Sequence, residues 1–279
     1  MKFSEFKYER PNFDQYKATM TSLIDQFKVA SSASEQLNIV TEINETRNHI
    51  ETMATLASIR HSIDTRDEFY DAEQNYWDEY GPLYEEINSL FYDAVVSSPY
   101  RNELEEKLSK QFFTILDYRL KAFSPEIIAD LQEENKLSSQ YTKLLASAKI
   151  PFDGEERTLP GMGKYLLSED RTVREAASKA KYAFFEEHEA EIDEIYDQLV
   201  KVRTRIAKKL GFNNFVELGY VRMTRSDYNP EMVENFRKQV LDYIVPVATS
   251  LYNRQEARLG YGTLRYFDEK FEFTTGNAT

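Results

Sequence analysis

The feature that most constrains the fold is the three-and-four spacing of apolar residues, which recurs along nearly the whole chain and fits amphipathic helices, not strands. Tyr16, Met20, Leu23, Ile24 and Phe27 form one such stripe, with Asn12 placed after Pro11 to cap it. Ser32 with Glu35, and Thr65 with Glu68, each match a capping box ahead of a long periodic segment. The second of these segments runs through Phe69, Ala72, Tyr76, Tyr80, Leu83, Ile87, Leu90 and Ala94, and Gly81-Pro82 inside it predicts a kink or a break. Ser98-Pro99 and Ser124-Pro125 read as caps with proline at the first helical position. The first opens a helix carrying Leu104, Leu108, Phe112 and Ile115; the second opens one carrying Ile128, Leu131, Leu137, Tyr141, Leu144 and Ala148.

The helical period stops in AKIPFDGEERTLPGMG. There Asp153-Gly154 separates Ile150 and Phe152 from Thr158 and Leu159, the signal of a tight hairpin, and Pro151 marks an edge strand. Helices resume at Ser168, through Val173, Ala176, Ala177, Ala180 and Phe184, then Ile192, Ile195, Leu199, Val202, Ile206 and Leu210 to Gly211. Asn229-Pro230 opens another, carrying Met232, Phe236, Val240 and Ile244 toward Gly260, with Pro246 expected to bend it. The expected class is all-α with one short hairpin near 149–159, divided into a helical region 1–148 and a hairpin-plus-helix region 149–279.

Composition narrows the chemistry. With 35 basic against 48 acidic residues, the net charge of -13 repels nucleic acid and anionic lipid. The absence of cysteine removes disulfides, thiolate metal sites and a cysteine nucleophile, and a reducing cytoplasm is the expected location. No apolar run approaches the length of a membrane span, so no membrane partner is expected.

Metal chemistry finds little support. His188-Glu189 begins as a helical zinc motif does, but the second histidine's position is Ile192, and Glu191 followed by the same isoleucine fails the reversed form. A carboxylate-bridged di-metal bundle needs Glu three residues before His; ahead of His49, His61 and His188 stand Thr46, Ser58 and Phe185. The acidic run Glu186 to Asp197 reads as a solvated helix face, and Gly161-Met-Gly163 lacks the setting of a phosphate loop. No catalytic residue and no metal ligand are therefore assigned. The 19 tyrosines and 18 phenylalanines fall mostly on helical stripes and are expected chiefly in the core.

From residue 164 onward KYLLSEDRTVREAASKAKYAFF, VKVRTRIAKKLGFNNFVELGYVRMTRSDYNPEMVENFRKQVLDYIVP and LGYGTLRYFDEKFEF follow in order. Together they resemble the middle region of the oligoendopeptidase F group of zinc peptidases, relatives of thimet oligopeptidase. MKFSEFKYERP and the Asp153-Gly154 hairpin resemble the start and middle of the same proteins. The resemblance implies a largely helical N-terminal half of an enzyme that hydrolyses short peptides in a deep channel. Zinc is its cofactor, held by a His-Glu-x-x-His helix and a further glutamate that match no residue here. It implies as partners short peptide substrates and a C-terminal catalytic half, and predicts the chain alone to be inactive. Late aromatic residues, Phe215, Tyr220, Tyr228, Phe236, Tyr243, Tyr252 and Phe267, are expected to be exposed where that half would attach. Arg222, Arg225 and Tyr228, clustered in a turn before a helix, are the candidate substrate-binding residues, against a structural role in capping and in pairing with Asp227. A helical scaffold or a peptide-binding module without catalysis is the alternative reading.

Overall fold

Helix α1 (Phe13–Val29) begins where the Asn12 side-chain oxygen accepts the amide of Gln15 at 2.9 Å, satisfying one of the donors a helix start leaves open. The computed structural model describes residues 2–277. The chain forms two compact units, the first made of Met1–Thr142 and Ile195–Asp227, the second of Lys143–Glu194 and Tyr228–Thr279.

In the first unit α1 is followed by α2 (Ala33–Ile63), α3 (Glu68–Val96), α4 (Arg101–Leu108) and α5 (Lys110–Lys121). Most of α6 (Ile128–Ala146), most of α8 (Glu189–Lys209) and all of α9 (Phe215–Arg222) complete it. Its main core gathers Met20, Phe27, Ile43, Ala57, Phe91, Leu104 and Phe113. A second cluster joins Ile127 and Leu137 to Val202, Ile206 and Leu218. Each of the larger side chains among them, fully withdrawn from water, contributes about 1.5–3 kcal/mol.

α4 starts at Arg101 behind Tyr100, so Ser98-Pro99 precedes the helix instead of opening it, and three further details depart from the sequence reading. The cap of α3 is Asp67, whose carboxylate accepts the amides of Phe69 and Tyr70, not Thr65. α3 also runs unbroken through Pro82. A proline there lacks the N–H that would meet the carbonyl of Asp78. Asn135 Nδ2 donates to that carbonyl at 3.2 Å, and Gln132 Nε2 to the next one, Glu79, at 2.7 Å, so side chains of α6 replace what the proline removes. The third is a break between α4 and α5, where one helix was expected. Ser109 takes φ +83° and its hydroxyl accepts the amide of Phe112, ending one helix and capping the next.

The N-terminal segment is fixed on α3 by the buried carboxylate of Glu73. Arg10 Nη2 donates to it at 2.6 Å, Tyr8 OH donates to it as well, and Trp77 Nε1 donates to Tyr8 at 3.2 Å. Burial raises the Glu73 pKa, but the bonds from Arg10 and Tyr8 outweigh it and hold the carboxyl below its ordinary range. Such a group contributes stability above the ordinary carboxylate pKa and loses it as pH falls through the lowered folded value. Glu73→Gln is expected to cost about 2 kcal/mol at neutral pH. Urea denaturation followed by fluorescence of Trp77, the single tryptophan, measures it; an unchanged midpoint would show the anchor to be idle.

In the second unit β1 (Ile150–Phe152) pairs antiparallel with β2 (Glu155–Arg157), Ile150 facing Arg157. Asp153 and Gly154 both take positive φ, 54° and 75°, as a two-residue turn of this hand requires. Ile150, Met162, Ala177 and Phe184 pack together beside α7 (Arg171–Glu187). His188 is the single residue between α7 and α8, where the sequence placed it inside a helical pattern.

At the other end of this unit α10 (Pro230–Gln239), a π-turn (Val240–Ile244) and α11 (Val245–Leu259) follow without interruption. The π-turn precedes Pro246, and the amide of Val245 reaches back five residues to the carbonyl of Val240. Widening the turn in this way accommodates the missing proline N–H. The segment after α11 returns to α7 through a covered ion cluster. Arg174 Nη2 and Arg171 Nη2 each lie 2.8 Å from the carboxylate of Asp268, and both Arg174 and Asp268 have 0% side-chain exposure. Gln255 Nε2 adds donors to the carbonyls of Glu269 and Phe271. No helix among the described residues is long and apolar enough to cross a membrane.

Candidate functional site

The stretch from Tyr228 to Arg254 contains no buried residue. A helix in water normally hides one stripe, and an apolar surface of this extent marks a place where something else packs. Here Met232, Phe236, Leu241, Tyr243, Ile244, Val247, Leu251 and Tyr252 all lie open, Phe236 at 64% and Tyr243 at 69% exposure. Beyond this stretch, Gln255 and Leu259 near the end of α11 are covered. Of the late aromatic residues expected at the surface, Tyr228, Phe236, Tyr243 and Tyr252 are exposed, whereas Phe215, Tyr220 and Phe267 are half-buried.

The candidate substrate residues fall in different settings. Arg222 closes α9 and its Nη1 bonds both oxygens of Glu134, at 3.0 and 2.9 Å, rather than Asp227. Arg203 Nε holds the same carboxylate at 2.8 Å. Arg225 stacks over the ring of Tyr220 at 4.7 Å in the first unit, while Tyr228 opens the exposed stretch of the second. Asp227 accepts from the Ser226 hydroxyl.

Arg222 also lines a cavity of about 390 Å³ in the first unit, together with Glu85, Arg119, Phe123, Leu131 and Glu134. Burial pushes the Glu85 carboxyl upward against the pull of Asn88 and Arg119. Sequence reading missed Glu134 and Arg119. The available signal was Glu134 standing between Leu131 and Leu137 at helical spacing, a charge inside an apolar stripe.

The histidines lie apart from any such site. His61 is buried beside Asp71, its Nε2 3.3 Å from the carboxylate, and His188 approaches Glu191 at 3.5 Å while packing on Phe184. Among the described residues no three His, Cys, Asp or Glu side chains are grouped to hold a metal ion.

Residues 3–123 match the peptidase M3 N-terminal domain. The structure of PZ peptidase A with an inhibitor superposes with a TM-score of 0.97 at 55% identity over 99% of this chain. The chain carries a peptidase M3 N-terminal domain and is similar to oligoendopeptidase F. A protein of Bacillus anthracis strain Ames assigned as an oligoendopeptidase F is similarly close, at 53% identity over 99% of this chain with a TM-score of 0.96. The oligoendopeptidase-F of Enterococcus faecium shares the fold alone, at 19% identity over 92% of this chain and 55% of its own, TM-score 0.62. A comparison with curated proteins found no match. This chain spans 49% of the PZ peptidase A chain and 51% of the Bacillus anthracis one, and what it resembles is the N-terminal half of an oligoendopeptidase F.

Proposed function

We propose that this chain supplies the non-catalytic half of a cytoplasmic oligoendopeptidase, docking through α10 and α11 on a catalytic part and helping to wall a channel for short peptides. The observation that carries the reading is the uncovered apolar helix, in a chain spanning about half the length of its relatives. Phe236, Tyr243 and Leu251 are the kind of large anchors that dominate interfaces once they are desolvated. The first unit, with its own core, would supply a rigid wall.

Zinc, which the resemblance implies for the whole enzyme, does not fit the residues present, because among the described residues His49, His61 and His188 do not converge and no carboxylate group completes a ligand set. No step of the hydrolysis is therefore assigned to this chain; its part is to bind, enclose and orient the peptide. Arg222, Arg225 and Tyr228 are proposed as substrate contacts. Arg222 is the strongest of the three because it lines the cavity and its Nε and Nη2 make no hydrogen bond among the described residues.

Association tests the reading. Mixed with the separately produced C-terminal half of PZ peptidase A, the chain is expected to form a one-to-one complex in light scattering. Two species that stay separate at high micromolar concentration would remove the docking role.

A further inference from the structure

The cavity beside Arg222 is lined by two guanidiniums, Arg119 and Arg222, and two carboxylates, Glu85 and Glu134. Arg203, outside the lining, also pairs with Glu134, which brings a third guanidinium to this group in a chain of net charge -13. Glu134 is buried and already neutralised twice over by Arg203 and Arg222. Arg119 is exposed at the same cavity and has no ion pair among the described residues. Arg222 spends only Nη1 on Glu134, so its remaining donors are available. Ala122, Phe123 and Leu131 supply apolar lining to the same cavity, beside the polar Asn135 and Ser138.

An anion next to hydrocarbon is what such a pocket complements. A terminal α-carboxylate beside an apolar side chain has that chemistry, since guanidinium forks match carboxylates and a phenyl wall takes the side chain. A phosphate suits it less well, because Glu85 would face its second charge. We propose that this cavity binds a terminal α-carboxylate with an apolar last side chain, as at the C-terminal end of a peptide, on Arg119 and Arg222. The inference rests on the peptide-binding reading above and extends it by naming the end of the peptide that is held.

Titration calorimetry on the 279-residue chain tests it with three probes: acetyl-Ala-Ala-Leu as the free acid, the same peptide as its C-terminal amide, and free leucine. The acid is expected to bind about tenfold or more tighter than the amide, as a charge-assisted fork on a carboxylate requires. Arg119→Gln should lose most of that preference and leave amide binding unchanged, and Arg119→Lys should recover part of it. Arg119 is exposed and makes no ion pair among the described residues, so circular dichroism of these variants should superpose on the parent. Leucine binding tighter than the peptide acid keeps the carboxylate site and assigns it to free amino acids. Equal binding of acid and amide overturns the inference while leaving peptide binding intact. Absence of binding by all three overturns it and removes the support this chain gives to peptide binding.

Discussion

Replacing Asp268 with alanine is expected to lower stability by about 3–5 kcal/mol, the largest single effect anticipated in the chain. The substitution leaves Arg174, wholly covered, with its charge uncompensated, and removes the acceptor that also holds Arg171 and the amide of Arg265. Burial alone raises the Asp268 pKa, but the bonds from Arg171 and Arg174 more than offset it and hold the carboxyl below the ordinary carboxylate range. Its contribution is therefore complete above the ordinary aspartate pKa and lost as pH falls through the lowered folded value. Guanidinium denaturation at neutral pH and again in acid measures both parts. A double change, Arg174→Met with Asp268→Leu, should recover most of the loss, because apolar residues of similar volume often replace a buried ion pair at no cost.

The second large effect concerns α10 and α11. Phe236→Glu combined with Tyr243→Glu should weaken association with a catalytic half by about a hundredfold or more, since removing two desolvated anchors forfeits at least about 3 kcal/mol. The isolated chain should keep its denaturation midpoint, because both side chains lie mostly in solvent. Loss of affinity without loss of stability separates a docking surface from a structural one. Light scattering and denaturation on the same sample read both.

Periodicity was enough for the helices. Wherever apolar residues recur at three and four, as in Tyr16 to Phe27 or Val202 to Leu210, a helix is present, because a single buried stripe needs nothing beyond local spacing. The hairpin was legible for the same reason: Asp153-Gly154 tolerates the positive φ that the turn demands. What local spacing cannot carry is long-range compensation. Pro82 reads as a breaker until Asn135 and Gln132, more than fifty positions later, are seen on the exposed carbonyls. Ser109 reads as mid-helix because serine is neither a strong breaker nor usual at positive φ. Likewise the return of residues 195–227 to the first unit leaves no mark in composition.

The candidate site was legible only in part. Arg222 stood out as a charged residue near a turn, but its partner Glu134 and its neighbour Arg119 sit in other helices and resemble ordinary surface charges. The informative anomaly is a charge inside a buried stripe: Glu73 beside Tyr76 and Trp77, Glu134 between Leu131 and Leu137, Arg174 ahead of Ala177. Each proves to be the centre of an ion cluster, since a covered charge persists only where a partner meets it. The exposed helix gave the converse signal, a stripe with nothing in its own unit to cover it.

The most direct test of the central claim is hydrolysis of a short internally quenched peptide by the chain alone, by the C-terminal half of PZ peptidase A alone, and by the two mixed. Residues 1 to 279 alone are expected to cleave nothing and retain no stoichiometric zinc, and the mixture is expected to show chelator-sensitive cleavage that rises with added chain. Chelator-sensitive cleavage by the chain alone, with one zinc held per molecule after dialysis, would contradict the claim.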